Sequence, residues 1–363
     1  MSLRHDFGQR GGYRRQRQAA LLAAGAMLAS SDALAASLDS CVANIRAQAI
    51  KAGVSRATAD RALSGVAYDE KAVRFSQSQP EYKTPIWDYL AFLVDEERIT
   101  DGKKMLDRHA NTLARVEKSY GVDRYIVLAV WGVESDYGQF RGDFHVPHAL
   151  ANVACNGRRA KYFRSELVEI LKIVDRGDVK LTDLQGSWAG AFGQTQFMPS
   201  TYRRLAVDYD GDGRRDLWRS LPDVFASSAN YLSQAGGRKE ETWGREVRLP
   251  KSFDYGLNGL GKKLKLKEWQ AMGVRRADGR DLPVADFDAS LILPAGADGP
   301  AFLVYQNYRT ILVWNRSILY ALAVGHLADR LIGAPPFVAK KPNNDKALSR
   351  ADMKDIQRLL GEK

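Results

Sequence analysis

Tyr125-Ile126-Val127-Leu128-Ala129-Val130-Trp131-Gly132-Val133-Glu134-Ser135-Asp136-Tyr137-Gly138 is the stretch on which the reading of this chain turns. Nothing polar interrupts Ile126 to Val133, so the segment predicts a helix over 122–134 that is buried on all sides. Glu134 closes it. Hydrocarbon around a carboxyl disfavours the anion, so the pKa of this group is expected to rise. That suits a general acid at near-neutral pH, as breaking a glycosidic bond requires. The plain alternative is a solvated glutamate at a helix end, and Glu134 by itself does not separate the two.

Further along, Gly190-Ala191-Phe192-Gly193-Gln194-Thr195-Gln196-Phe197-Met198-Pro199-Ser200 is a polar loop held between glycines and a proline. Gly186-Ser187-Trp188-Ala189 precedes it and Thr201-Tyr202 follows. Other blocks are Arg158-Arg159-Ala160-Lys161-Tyr162-Phe163, Ala229-Asn230-Tyr231-Leu232 and Trp314-Asn315-Arg316-Ser317. Taken in their order along the chain, these blocks resemble the lytic murein transglycosylase B family, glycoside hydrolase family 103. Its pattern is a catalytic Glu in V-E-S/T-x-W/Y-G, then G-S-F/W-A-G-A-x-G-x-x-Q-F-M-P-S-S/T-Y. The resemblance runs from about Cys41 to Phe337. It implies an α+β, mainly α fold: a lysozyme-like helical catalytic core, a flanking helical subdomain and a small inserted β-sheet subdomain. It also implies a peptidoglycan lytic transglycosylase, cleaving the MurNAc-GlcNAc β-1,4 bond and leaving 1,6-anhydro-MurNAc ends. A hydrolytic muramidase and a non-catalytic wall-binding protein stand as alternatives.

By the same resemblance, Glu134 is general acid and then base, and Ser187, Gln196, Tyr231 and Asn315 line the cleft. Ser187 and Asn315 can bond the acid or a sugar N-acetyl group, and Gln196 can orient the sugar. Tyr231 and Tyr320 offer flat faces and hydroxyls. Arg158, Arg159 and Tyr162 lie where relatives meet the stem peptide and lactyl carboxylate, and Tyr89 is placed on the far side. Trp314 stands where a relative carries Tyr, which loses a hydroxyl and keeps a ring. Core packing would also explain Tyr231 and Trp314. Two-carboxylate glycosidases need a second acid across the bond. Asp136, two residues from Glu134, is aimed elsewhere by a helix, and Asp143 falls in an unmatched loop. The cleft blocks supply amides, hydroxyls and aromatics instead, which favours capture by a hydroxyl of the same sugar.

Asp208-Tyr209-Asp210-Gly211-Asp212-Gly213-Arg214-Arg215-Asp216 opens like an EF-hand loop, with Arg214 able to offer only its backbone carbonyl. Arg219 stands where the closing Glu belongs, and Asp223 could serve if the loop runs longer. No cofactor is expected for the chemistry. A structural Ca2+ is the reading of this loop, against a solvated acidic turn.

The 363 residues carry a net charge of +11, which favours a polyanionic partner such as nucleic acid, acidic membrane or cell wall. The charge does not choose among these and no nucleic-acid module signature is found; the family resemblance implies peptidoglycan strands as the partner, met by a monomer. Arg14, Arg15 and Arg17 precede an apolar run from Ala19 to Ala29, and Ala33-Leu34-Ala35 offers a cleavage site. Residues 1–35 therefore read as a secretory signal peptide, with the periplasm as destination and no transmembrane segment expected. Cys41 and Cys155, the only cysteines, would enter an oxidising space, and a disulfide is expected between them, two buried thiols being the alternative. Helical patterns cover 36–66, 87–120, 162–176, 221–235 and 317–331. The intervening 236–314 reads as a β-rich insertion, with strands at 247–249, 290–293, 301–305 and 310–314. The catalytic region is thus placed at 36–337. Residues 338–363 read as a linker and a short helix resembling the start of a peptidoglycan-binding module.

Overall fold

The computed structural model describes residues 37–77 and 84–341. The expected leader over 1–35 and the closing helix of the tail lie outside the described residues. The chain opens with α1 over 37–51, α2 (Arg56–Ala62) and α3 (Glu70–Gln77). Gly53, at φ 95°, divides the first expected helical region, and Ser55 restarts it by accepting the Thr58 N–H. The second region is three helices, α4 (Ile86–Leu93), α5 (Glu96–Arg108) and α6 (Ala110–Tyr120). Asp95 caps α5 through the Arg98 N–H, and Gly121, at φ 65°, ends α6.

Asp123 starts α7 (Arg124–Ser135) by accepting the Tyr125 N–H, and Ile126 to Gly132 are buried without interruption. The chain continues through β1 (Phe144–His145), α8 (Val146–Asn156), α9 (Ala160–Arg176), β2 (Gln185–Gly186), α10 (Pro199–Leu205) and α11 (Leu221–Gln234). The two short strands pair antiparallel, Phe144 opposite Gly186. A disulfide joins Cys41 on α1 to Cys155 on α8, with Cα atoms 6.0 Å apart.

The insertion holds β3 (Gly244–Arg248), β4 (Leu264–Lys265), α12 (Leu266–Ala271), β5 (Arg275–Arg276), β6 (Asp288–Ile292) and β7 (Ala301–Val304). They form one antiparallel sheet in the order β4-β6-β7-β3-β5. Every residue of β7 is buried, and the alternation of a strand explains how. Phe302 and Val304, with Ile292, face the main helical core, while Ala301 and Leu303, with Leu291, face a second core built on Phe253 and Trp269.

The chain then enters α13 (Gln306–Trp314) and α14 (Ile318–Leu331). Residues 310–314, expected as a strand, are helical. Asn307, Tyr308, Thr310 and Ile311 are buried at helical spacing, whereas Val313 is exposed, so packing overrides the β-branched composition. The sheet therefore ends at Val304 and α13 belongs to the helical body. α5, α6, α11 and α14 pack around α7 and make it the central helix. Among the described residues no single helix is long and apolar enough to cross a membrane.

Candidate active site

Glu134 lies in the last turn of α7, and the chain leaves that helix abruptly. Asp136 (φ 50°), Tyr137 (φ 56°) and Gly138 (φ 87°) are successive left-handed residues. Two of them are not glycine, so their surroundings must hold them there. The Tyr137 hydroxyl donates to the Arg98 carbonyl (2.9 Å), and Arg98 Nε donates to Asp136 Oδ1 (3.2 Å). Ser135 Oγ accepts the Gly138 N–H (2.9 Å) and donates to the Gln194 carbonyl (2.5 Å). Buried Gln194 also accepts the Trp131 indole N–H (2.9 Å) and donates its amide to the Trp218 carbonyl (2.9 Å). The 190–200 loop is thus tied to the helix that carries Glu134. Gln194 had not stood out in the sequence; its place in the helix-facing side of a glycine-flanked loop was the only signal.

Two donors converge on one oxygen of Glu134. Tyr320 Oη donates to Glu134 Oε1 at 2.6 Å, and Trp314 Nε1 donates to the same atom at 2.9 Å. Burial, and then the charge of Glu134, push the Tyr320 phenol well above its ordinary pKa, so it remains a donor. Trp314 was expected to bring only a ring; its indole N–H supplies a donor of its own. That ring stacks on Tyr231 (centroids 4.6 Å, 21°), and Phe197 meets both edge-on. The Tyr231 hydroxyl donates to the Val313 carbonyl at 3.1 Å.

The remaining expected residues fall around this cluster. Tyr89 sits on α4, which packs against α14, and its phenol adds to the upward push on Tyr320. Arg159 lies over the Tyr162 ring at 4.2 Å. Burial, with the neighbouring Glu166 charge, raises the Tyr162 phenol to about 12. Arg158 is exposed beside them. Gln196 adopts φ 50° and donates Nε2 to the Arg141 and Gly193 carbonyls, both at 3.0 Å. Ser187 Oγ accepts the Ala191 N–H (3.0 Å), and Asn315 Oδ1 accepts the Ser317 N–H (3.0 Å) at the turn between α13 and α14. These three side chains brace their own turns in this state.

In the aspartate loop, carboxylate oxygens of Asp208, Asp210 and Asp212 lie within 4.8 Å of one another. Gly211 (φ 79°) and Gly213 (φ 89°) donate their N–H groups to Asp208 and coil the loop around it. Such an all-oxygen donor set fits a hard cation. Arg214 donates its N–H to Asp212, and Asp216 accepts the Trp218 and Arg219 N–H groups. Asp223, offered by the sequence as a closing ligand, is buried and turned to backbone. Its Oδ1 accepts from Tyr209 and Asp210, and its Oδ2 from Asp216.

Residues 37–329 match the transglycosylase SLT domain family. The membrane-bound lytic murein transglycosylase B of Escherichia coli K12 is 32% identical over 269 residues, 71% of each chain. SltB3 from Pseudomonas aeruginosa, solved in complex with NAG-anhNAM-pentapeptide, is 45% identical with a TM-score of 0.86, covering 90% of this chain and 87% of that one. Escherichia coli Slt35 in complex with calcium is 27% identical with a TM-score of 0.69, covering 82% and 93%. With the same mainly helical fold and small antiparallel sheet around an acid on a buried helix, this chain belongs to the transglycosylase SLT domain family, among the B-type lytic transglycosylases of peptidoglycan.

Proposed function

We propose that Glu134 is the single catalytic carboxyl of this peptidoglycan lytic transglycosylase and acts first as acid, then as base. The observation that carries this is the pair of donors on Glu134 Oε1. With Tyr320 and Trp314 both donating to Oε1, the proton of the acid form is assigned to Oε2 and passes from there to the glycosidic oxygen. Glu134 gives that proton to the leaving GlcNAc oxygen as the bond to the muramyl anomeric carbon breaks. The muramyl N-acetyl oxygen stabilises the cation-like centre. The carboxylate, steadied by the same two donors, then takes the proton of the muramyl hydroxymethyl group as its oxygen closes on the anomeric carbon. The product is a 1,6-anhydro ring with no water added.

Asp136, the acid nearest in sequence, is engaged by Arg98 and not available to activate water, which supports this course over hydrolysis. Ser187, Gln196, Tyr231, Asn315 and Tyr89 are proposed to line the sugar sites, and Arg158, Arg159 and Tyr162 to meet the stem. The test is product mass from purified sacculi. Glu134→Gln is expected to release no anhydro product while melting like the parent, and Asp136→Asn to keep most activity. Muramic acid reducing ends as the main product would replace this reading with a muramidase.

We further propose that Asp208, Asp210 and Asp212 hold a structural Ca2+, supported by their shared oxygen cluster and by the calcium complex of Slt35. The ion would cross-link the loop and take no part in the chemistry. The expected leader and a disulfide that needs an oxidising compartment support a periplasmic location.

A further inference from the structure

Resting on the transglycosylase reading, we propose that a cavity beside the loop carrying Ser187 and Gln196 is a subsite for the stem peptide, and that Asp143 and Arg141 clamp a zwitterionic amino-acid end within it. The cavity measures about 690 Å³ and is walled by the loop running on from α7 and by Asp183, Trp218 and Arg219. It adjoins the proposed sugar sites directly. The Arg141 carbonyl accepts from Gln196, and Gly142 is pressed so close to the 186–187 backbone that an added Cβ would meet the Ser187 nitrogen at 2.9 Å. Phe140, 69% exposed, stands at the rim where a ligand would cover it.

The charges lining this cavity divide into two kinds. Arg219 is paired with Asp183 at 2.7 Å and is satisfied. Asp143 makes no hydrogen bond or ion pair among the described residues, and Arg141 donates only to the Trp218 carbonyl at 3.1 Å. Lys71, which lines the adjoining cavity, stands over the Phe144 ring and not on Asp143. One anion and one cation, two residues apart, both exposed and both without an ionic partner among the described residues, can be met together by a ligand bearing both charges. The free end of a stem diamino acid carries an ammonium and a carboxylate. Cross-linking converts that ammonium to an amide and removes the charge Asp143 would meet. The subsite therefore favours strands with uncross-linked stems.

The test measures binding, so it does not depend on turnover. Glu134→Gln protein is titrated calorimetrically with a GlcNAc-MurNAc-tripeptide carrying a free diamino acid, and with the same fragment acetylated on that amine. Acetylation should weaken binding about threefold to fivefold, the size of an exposed ion pair. Adding Asp143→Asn should impose the same loss on the free fragment and none on the acetylated one. Arg141→Gln should weaken both fragments alike. Equal binding of the two fragments, or losses from Asp143→Asn and acetylation that simply add, would overturn the proposal. Failure of the wild-type enzyme to form anhydro product would instead sink the transglycosylase reading and leave this binding result standing.

Discussion

At the scale of single residues, the proposed chemistry depends on which side chains reach Glu134. Tyr320 and Trp314 both do, and each offers a donor to the group proposed to work protonated and ionised in turn. A hydrogen bond to a charged group is worth about 1.5–3 kcal/mol. Tyr320→Phe and Trp314→Phe are each expected to lower kcat/KM by roughly ten- to a hundredfold, read by anhydro-product release at constant melting temperature. Trp314→Tyr, which keeps an aromatic ring and restores a polar hydrogen at its tip, should recover part of the loss; equal failure of Phe and Tyr would mean that ring size matters and the donor does not. Glu134 alone did not single itself out; it was legible in the sequence because it ends an unbroken apolar run and, above all, because the further blocks resemble the family pattern. Trp314 was not, because its indole points at Glu134 only once 306–314 is a helix.

At the scale of elements, short-range punctuation carried most of the reading. Gly121 and Gly177 end α6 and α9 where expected, and Ser317 caps α14 as the start of the last helix. What escaped was decided by packing from outside the segment. Thr310 to Trp314 has the composition of a strand, yet the helical body buries Tyr308 and Ile311 on one side and fixes a helix. The aspartate loop shows the same division of labour. Its spacing announced an oxygen cluster, but only the fold reveals that Asp223 anchors the loop by three backbone N–H groups. Two consequences separate these tasks. Millimolar Ca2+ should raise the melting temperature by several degrees, and Asp208→Ala with Asp212→Ala should abolish the increment. Asp223→Ala should lower stability by about 1–3 kcal/mol whether or not calcium is present, since it removes a buried carboxylate that accepts three backbone N–H groups. A parent protein indifferent to calcium would remove the ion from the account.

At the scale of the whole molecule, α14 supports α7 and also carries two ionisable groups whose protons oppose each other. His326 is buried, stacked on Phe337, and burial lowers its pKa from 6.5 to about 4. Asp329, partly buried, accepts the Trp243 indole N–H at 2.9 Å, and burial raises its pKa from 3.8 to about 6. For His326 the unfolded chain binds more protons between pH 6.5 and 4, so its contribution to stability is present above that window and lost as pH falls through it. For Asp329 the folded chain binds more protons between pH 6 and 3.8, so its contribution is present at low pH and lost as pH rises. Each shift corresponds to about 3 kcal/mol at most, and the two nearly cancel across pH 6 to 4. Single variants should expose the hidden slopes. Asp329→Asn leaves the histidine alone, and stability should fall on acidification from pH 6.5 to 4.5. His326→Gln leaves the aspartate alone, and stability should rise over the same interval. Urea midpoints at the two pH values measure both, and the double variant should show neither slope. Parallel pH profiles for the two single variants would show that these groups do not titrate as their burial requires.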